Sequence, residues 1–211
     1  MNDTVKTARK RVVVFISGGG SNMLALAKAA SEPGFPAEII GVVSDKADAG
    51  GLARAAALGI PPFSFVRKDY DSKDAHEAAI LSALESLSPD IICLAGYMRL
   101  LSAAFIKRYE GRIINIHPSL LPLFPGLHTH QRAIDAGMTE AGCTVHFVTE
   151  GMDEGPVILR ATVPVVAGDA ADTLAARVLV EEHRIYPAAL RLVAEGKVRM
   201  VGGKAVMADA L

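Results

Sequence analysis

Only two cysteines, Cys93 and Cys143, occur in the 211 residues, which excludes a disulfide framework and leaves no cysteine spacing able to hold a metal. Both stand inside apolar, strand-like runs, where reduced core thiols belong. No run approaches the roughly 18 apolar residues that a membrane-spanning helix needs. Charge of one sign is missing too: 22 Lys+Arg stand against 23 Asp+Glu, a formal net charge of -1, with no basic cluster beyond Arg9-Lys10-Arg11. Nothing here neutralises a long phosphate backbone, so a nucleic acid is excluded as the main ligand. The basic start, Lys6 to Arg11, precedes apolar Val12–Ile16, but that run meets Ser17-Gly18-Gly19-Gly20 too early for a secretory segment. These absences predict a soluble, cytoplasmic protein, monomer or homodimer, whose partners are small molecules.

What is present is core-forming: 51% hydrophobic residues against 21% charged, the balance that offsets conformational entropy in a folded chain. The length suits one sizeable core, so a single domain is expected over 1–211, with disorder confined to the ends, including 1–10. Short β-rich runs alternate with Ala/Leu-rich stretches, the signature of parallel βαβ units. Strands are expected at Arg11–Ile16, Glu38–Ser44, Pro62–Val66, Asp90–Ala95, Arg112–His117 and Thr144–Thr149, nearly all apolar, as strands covered on both faces should be. Helices fall at Asn22–Ala30, Gly51–Leu58, Asp74–Leu87 and Ala171–Ala194, with Gly59, Pro89 and Gly196 as stops. Past Thr149 the pattern changes: Pro156–Val166 reads as an antiparallel or edge strand, and Lys197–Met207 as a hairpin turning at Gly202-Gly203. The fold class is therefore α/β, a Rossmann-like open, mostly parallel sheet with helices on both faces and a C-terminal antiparallel or hairpin extension. The irregular segment from Pro118 to Thr129 is too long and apolar for a mere connector.

Ser17-Gly18-Gly19-Gly20-Ser21-Asn22 joins the first strand to the first helix, where bare backbone N–H groups and the helix dipole favour an anion. A phosphate is the natural guest. A dinucleotide turn, with Asp45 as its acidic residue, and a plain tight turn are the alternatives. Met23 stands where G-x-G-x-x-G needs its third glycine.

Asn115 and His117 end a strand at spacing i, i+2, so they share a face about 7 Å apart. At the carboxyl end of a strand in an open α/β sheet, where ligand crevices form, an amide donor and an imidazole suit a developing oxyanion, hence acyl transfer. The alternative is that His117 only satisfies backbone groups of the Pro118 loop. His128-Thr129-His130 has metal-like spacing but no carboxylate or thiol to complete a ligand set, so no metal is expected. His146 and His183 read as structural, Glu182 can face the crevice, and His76 falls on a solvated helix face. Asp153 lies in the turn Glu150-Gly151-Met152-Asp153-Glu154-Gly155, after a strand expected to end at the crevice edge, and turn acids commonly cap or solvate.

Four segments together carry a resemblance: Ser17-Gly18-Gly19-Gly20-Ser21-Asn22, Ala95-Gly96-Tyr97-Met98-Arg99-Leu100-Leu101, Asn115-Ile116-His117-Pro118-Ser119-Leu120-Leu121-Pro122, and His146-Phe147-Val148-Thr149 followed by Asp153. From about Val12 to Met200 the chain resembles the folate-dependent phosphoribosylglycinamide formyltransferases of purine synthesis. The resemblance implies transfer of a formyl group from 10-formyltetrahydrofolate, a co-substrate, without a metal. It implies that Gly20, Ser21, Asn22 and Glu182 hold the glycinamide ribonucleotide and that Lys73, Met98, Arg99, Leu100, Leu101 and Asn115 hold the folate. Catalysis would fall to Asn115, His117 as proton donor, and Asp153 as its support. Lys73 replaces the family's folate-side arginine, keeping the charge without the bidentate fork. Among related formyl-folate enzymes, a transfer-RNA formyltransferase is expected to carry a second C-terminal domain, where this sequence ends at Leu211, and a formyltetrahydrofolate hydrolase an N-terminal regulatory domain, where the first strand is expected near Arg11. A nucleotide-binding module without catalysis would leave Asn115 and His117 structural.

Overall fold

The computed structural model describes residues 8–208. One sheet holds seven strands in the order β3-β2-β1-β4-β5-β6-β7. These are β1 (Lys10–Ile16), β2 (Ala37–Ser44), β3 (Pro62–Ser64), β4 (Ile91–Leu94), β5 (Ile113–His117), β6 (Glu140–Phe147) and β7 (Val157–Pro164). The first five run parallel. The helices are α1 (Ser21–Ala30), α2 (Gly50–Ala57), α3 (Lys73–Leu87), α4 (Ala103–Arg108), α5 (Thr129–Asp135) and α6 (Ala171–Ala194), and β8 (Val198–Val201) pairs with β9 (Lys204–Met207) in the expected terminal hairpin.

Strand β1 shows why the sheet is covered on both faces. Alternate side chains leave a strand on opposite sides, so Val12, Val14 and Ile16 pack with Met23 and Leu26 of α1 and Leu174 and Val178 of α6. Val13 and Phe15 pack instead with Ile80 and Leu84 of α3 and Phe105 of α4. All five are fully buried, each contributing roughly 1.5–3 kcal/mol. The phenol of Tyr186, on α6, donates to the Leu94 carbonyl at 2.8 Å, pinning the long helix over the centre of the sheet. Cys93 and Cys143 are free and buried, and burial pushes both thiols up to about 12, so neither is a nucleophile.

Several expectations are corrected. The sheet turns antiparallel one strand earlier than expected: β6 pairs antiparallel with β5, and β7 with β6. Strand β6 therefore ends beside Ile114, in the first half of β5, and not at the crevice edge. It also starts at Glu140, ahead of Thr144, while β3 stops at Ser64. Helices α4 and α5, of 6 and 7 residues, are too short to show a period in sequence. His76 is not on a solvated face: it is buried, with Nε2 donating to the Phe65 carbonyl at 2.7 Å. Of the stretch 1–10, residues 1–7 lie outside the described residues, while Arg9 donates through Nε to the Ala37 carbonyl at 3.0 Å and Lys10 already pairs in the sheet.

Candidate active site

Chain order in the sheet reverses between β1 and β4, because β2 and β3 are added on one side and β5 on the other. That switch point opens a crevice at the carboxyl ends of the strands. The glycine loop leaves β1 there, residues 95–101 leave β4, and the Pro118 loop leaves β5.

Gly20 is the N-cap of α1 with φ 73°, in the left-handed region, and no side chain caps the helix. The first intrahelical bond runs from Leu24 N–H to the Gly20 carbonyl, so the N–H groups of Ser21, Asn22 and Met23 have no helical partner. The loop packs on a second glycine pair at the start of α2: Gly51 N–H donates to the Gly18 carbonyl at 3.0 Å. Beside the loop stands Glu182 of α6, buried, accepting from Asn22 Nδ2 at 2.6 Å. Burial pushes the Glu182 carboxyl above its ordinary range, and the bond from Asn22 pulls it partly back. Asn22 Oδ1 is buried with no partner. The structure thus brings Gly20, Ser21, Asn22 and Glu182 together, with uncapped N–H donors and an unused acceptor.

On β5, Asn115 faces Leu94 of β4 on one side and His146 of β6 on the other. His146 Nδ1 lies 2.8 Å from the Phe147 carbonyl, an acceptor, so Nδ1 carries the proton and Nε2 keeps its lone pair. That lone pair accepts from Asn115 Nδ2 at 3.1 Å, which fixes the amide's orientation. Burial lowers the His146 imidazole below its ordinary value, which favours this neutral form. His117, also buried, has Nδ1 3.3 Å from Asp153 Oδ2 and Nε2 3.1 Å from the Phe124 carbonyl. Both ring nitrogens face acceptors, so the doubly protonated ring satisfies both contacts. Asp153 Oδ2 also accepts the Gly126 N–H at 2.9 Å, and Asp153 itself has φ 57°, a conformation that a non-glycine residue keeps only when its surroundings enforce it. Asn115, His117 and Asp153 are therefore one cluster, although Asp153 reaches it by the return of segment 148–156 and not by the end of a strand.

The remaining residues gather in a cleft of about 310 Å³, lined by Arg67, Lys73, Met98, Arg99, Leu100 and Leu101 among others. Met98 and Leu100 are 62% and 66% exposed, an apolar rim of the kind that marks a ligand groove. Lys73 Nζ is 3.8 Å from Glu77, and Arg99 Nε donates to Asp45 Oδ2 at 2.8 Å. Arg67 donates to the Tyr70 carbonyl, and no carboxylate pairs with it among the described residues.

One member of the site was not found by reading the chain. His146 is opposite Asn115 only because β6 runs antiparallel, and no residue pattern announces that direction. His130 is lowered by burial and by the nearby charge of His117. Its neighbour His128 caps α5 in the left-handed region, and no metal-type cluster exists among the described residues.

Residues 10–190 match the Formyl transferase family. The chain is 46% identical over 189 residues to the phosphoribosylglycinamide formyltransferase of Escherichia coli (strain K12), covering 90% of this chain and 89% of that one. It is 48% identical over 197 residues to the trifunctional purine biosynthetic protein adenosine-3 of Bos taurus, a match that takes in 93% of this chain but spans only 20% of the relative's length. Among solved structures, the phosphoribosylglycinamide formyltransferase from Brucella melitensis superposes with a TM-score of 0.86 at 69% identity, covering 92% of this chain and 99% of that one.

Proposed function

The chain belongs to the Formyl transferase family and, within it, to the phosphoribosylglycinamide formyltransferases, and on that premise we propose the reaction and the roles of its residues. It transfers the formyl group of 10-formyltetrahydrofolate to the amino group of 5-phosphoribosylglycinamide in purine biosynthesis, in the cytoplasm and as one domain. Gly20 and the uncapped N–H groups of Ser21 and Asn22 bind the phosphate, a guest that the α1 dipole also favours. Glu182, held by Asn22, takes donors from the ribose or amine end. The apolar rim of Met98, Leu100 and Leu101 receives the pterin, and Arg67, Lys73 and Arg99 supply positive charge to the same cleft.

In the reaction the neutral amine nitrogen bonds the formyl carbon, and the carbonyl electron pair moves onto oxygen. Asn115 and His117 stabilise that oxyanion, as donors fixed before the charge develops do best. Asn115 is fixed by His146, and His117 by Asp153. On collapse, the bond from carbon to the folate nitrogen breaks, His117 supplies the proton that nitrogen takes up, and the surplus proton of the attacking amine passes, directly or through water, to the neutral His117, which restores the imidazolium. His117 Nδ1 is committed to Asp153, so Nε2 is the donor, and substrate replaces its contact with the Phe124 carbonyl.

The observation that carries this reading is the contact of Asp153 with His117 beside an Asn115 amide locked by His146. The test mixes purified protein with 10-formyltetrahydrofolate, with and without glycinamide ribonucleotide, and follows tetrahydrofolate by absorbance. Product only with the ribonucleotide is expected. Product without it would mean hydrolysis, and none in either tube would reduce the chain to a binding module.

A further inference from the structure

We propose that Asp45 is a positioning residue that couples the two substrate sites, so that occupancy of one tightens the other. Asp45 follows the last residue of β2 and is 2% exposed. Both its oxygens are used: Oδ1 accepts the Ser17 hydroxyl at 2.5 Å and Oδ2 accepts Arg99 Nε–H at 2.8 Å. Ser17 Oγ in turn accepts the Met98 N–H at 2.8 Å. The contacts close a ring, Asp45 to Ser17 to Met98 and, through the next peptide, Arg99 back to Asp45. It ties together the ends of β1, β2 and β4 across the switch point of the sheet.

The ring's position gives it a consequence for binding. Ser17 is the residue from which the glycine loop departs, and Met98 and Arg99 belong to the folate cleft, so a ligand that orders either segment orders the other through shared hydrogen bonds. The second ligand then meets a site whose ordering cost is already met, which is positive coupling without a change of fold. A carboxylate is required for this. If an amide at position 45 turns its oxygen to Ser17, its N–H meets the Arg99 N–H; if it turns the other way, the Ser17 hydroxyl loses its acceptor. Asp45 reaches no substrate in this scheme and acts only through Ser17 and Arg99.

The proposal rests on the assignment of the two substrates to the glycine loop and the 98–101 segment. Tetrahydrofolate without a formyl group permits a test at equilibrium. Calorimetric titration with tetrahydrofolate, on protein free and saturated with glycinamide ribonucleotide, should show affinity higher by about fivefold or more in the saturated protein, with the same factor in the reverse titration. In Asp45→Asn that ratio should fall to within about twofold of one. Ser17→Ala, which cuts the ring elsewhere, should do the same and serves if Asp45→Asn does not fold. General damage to the fold lowers both affinities and leaves their ratio alone. A wild-type ratio of one, or an unchanged ratio in folded variants, overturns the coupling while the substrate assignment stands. Failure of the wild type to bind either ligand overturns the assignment and the coupling with it.

Discussion

At the scale of single residues, the site is built from groups that cost the fold something and are kept for what they present. Replacing His117 with alanine should lower kcat by about 10²- to 10⁴-fold with little change in either KM, as loss of a positioned proton donor does; steady-state kinetics decides it, and unchanged kcat would remove His117 from the chemistry. Glu182 is buried with its carboxyl pushed upward by desolvation. A raised folded value means the unfolded chain ionises first as pH rises, so Glu182 penalises the folded state at neutral pH. Glu182→Gln keeps an acceptor for Asn22, so its unfolding free energy near pH 7 should equal or exceed wild type while ribonucleotide affinity falls. His146 has the opposite sign: its value is lowered by burial, so well above the ordinary value of about 6.5 it adds nothing, and as pH falls through that value the unfolded chain takes up the proton first. Denaturant unfolding should lose stability between about pH 7.5 and 5.5, and His146→Gln should lose less, with His130 and His183, also lowered, accounting for the remainder. Of this site, the Asn115 and His117 pair was legible because strand spacing alone puts both on one face. The contact of Asp153 was not, because the left-handed turn that carries it depends on distant packing, and His146 was hidden by the direction of its strand.

At the scale of elements, the glycine loop is half of a joint whose other half is the start of α2. A Cβ on Gly51 would stand 2.4 Å from Ile16 Cδ1, 3.1 Å from the Gly18 carbonyl oxygen and 3.2 Å from Gly20 Cα. Ile16 is fully buried and the other two atoms are backbone, so none yields cheaply. Gly51→Ala should destabilise by about 1–3 kcal/mol and, if the glycine loop holds the phosphate as proposed, raise the KM for the ribonucleotide more than that for the folate, because α2 would push directly on that loop. Parallel kinetics with each substrate varied in turn checks this; equal effects on both would mean that the loop did not move. The joint illustrates what the sequence shows of the fold. Val12–Ile16 and Ile91–Leu94 are continuous apolar runs, and Ile113–Ile116 is broken only by Asn115, so all three declare themselves as doubly covered strands. Strand β6 is buried from Ala141 to Phe147, yet its partner and direction follow from the long connection after β5, which carries α5 within it and leaves no periodic trace.

At the scale of the whole molecule, the net charge of -1 gives no general attraction for two anionic substrates. In the proposed assignment their binding comes from local donors: the N–H groups at the start of α1 and the cations of the cleft around Met98–Leu101. Stability then offers a test that needs no turnover, since any ligand that binds only the folded chain stabilises it. At about 100 times its dissociation constant a ligand adds about 2.7 kcal/mol, which for a chain of this size moves the melting midpoint by about 5–10 °C. Glycinamide ribonucleotide at that level should produce such a shift, whereas the dephosphorylated riboside at the same free concentration should produce much less, because it leaves the Gly20–Asn22 N–H groups without their anion. The comparison isolates the phosphate, since both molecules carry the same ribose and amine to Glu182. Equal shifts would show that the glycine loop does not hold the phosphate, and would move the ribonucleotide's binding energy to the Glu182 side of the crevice.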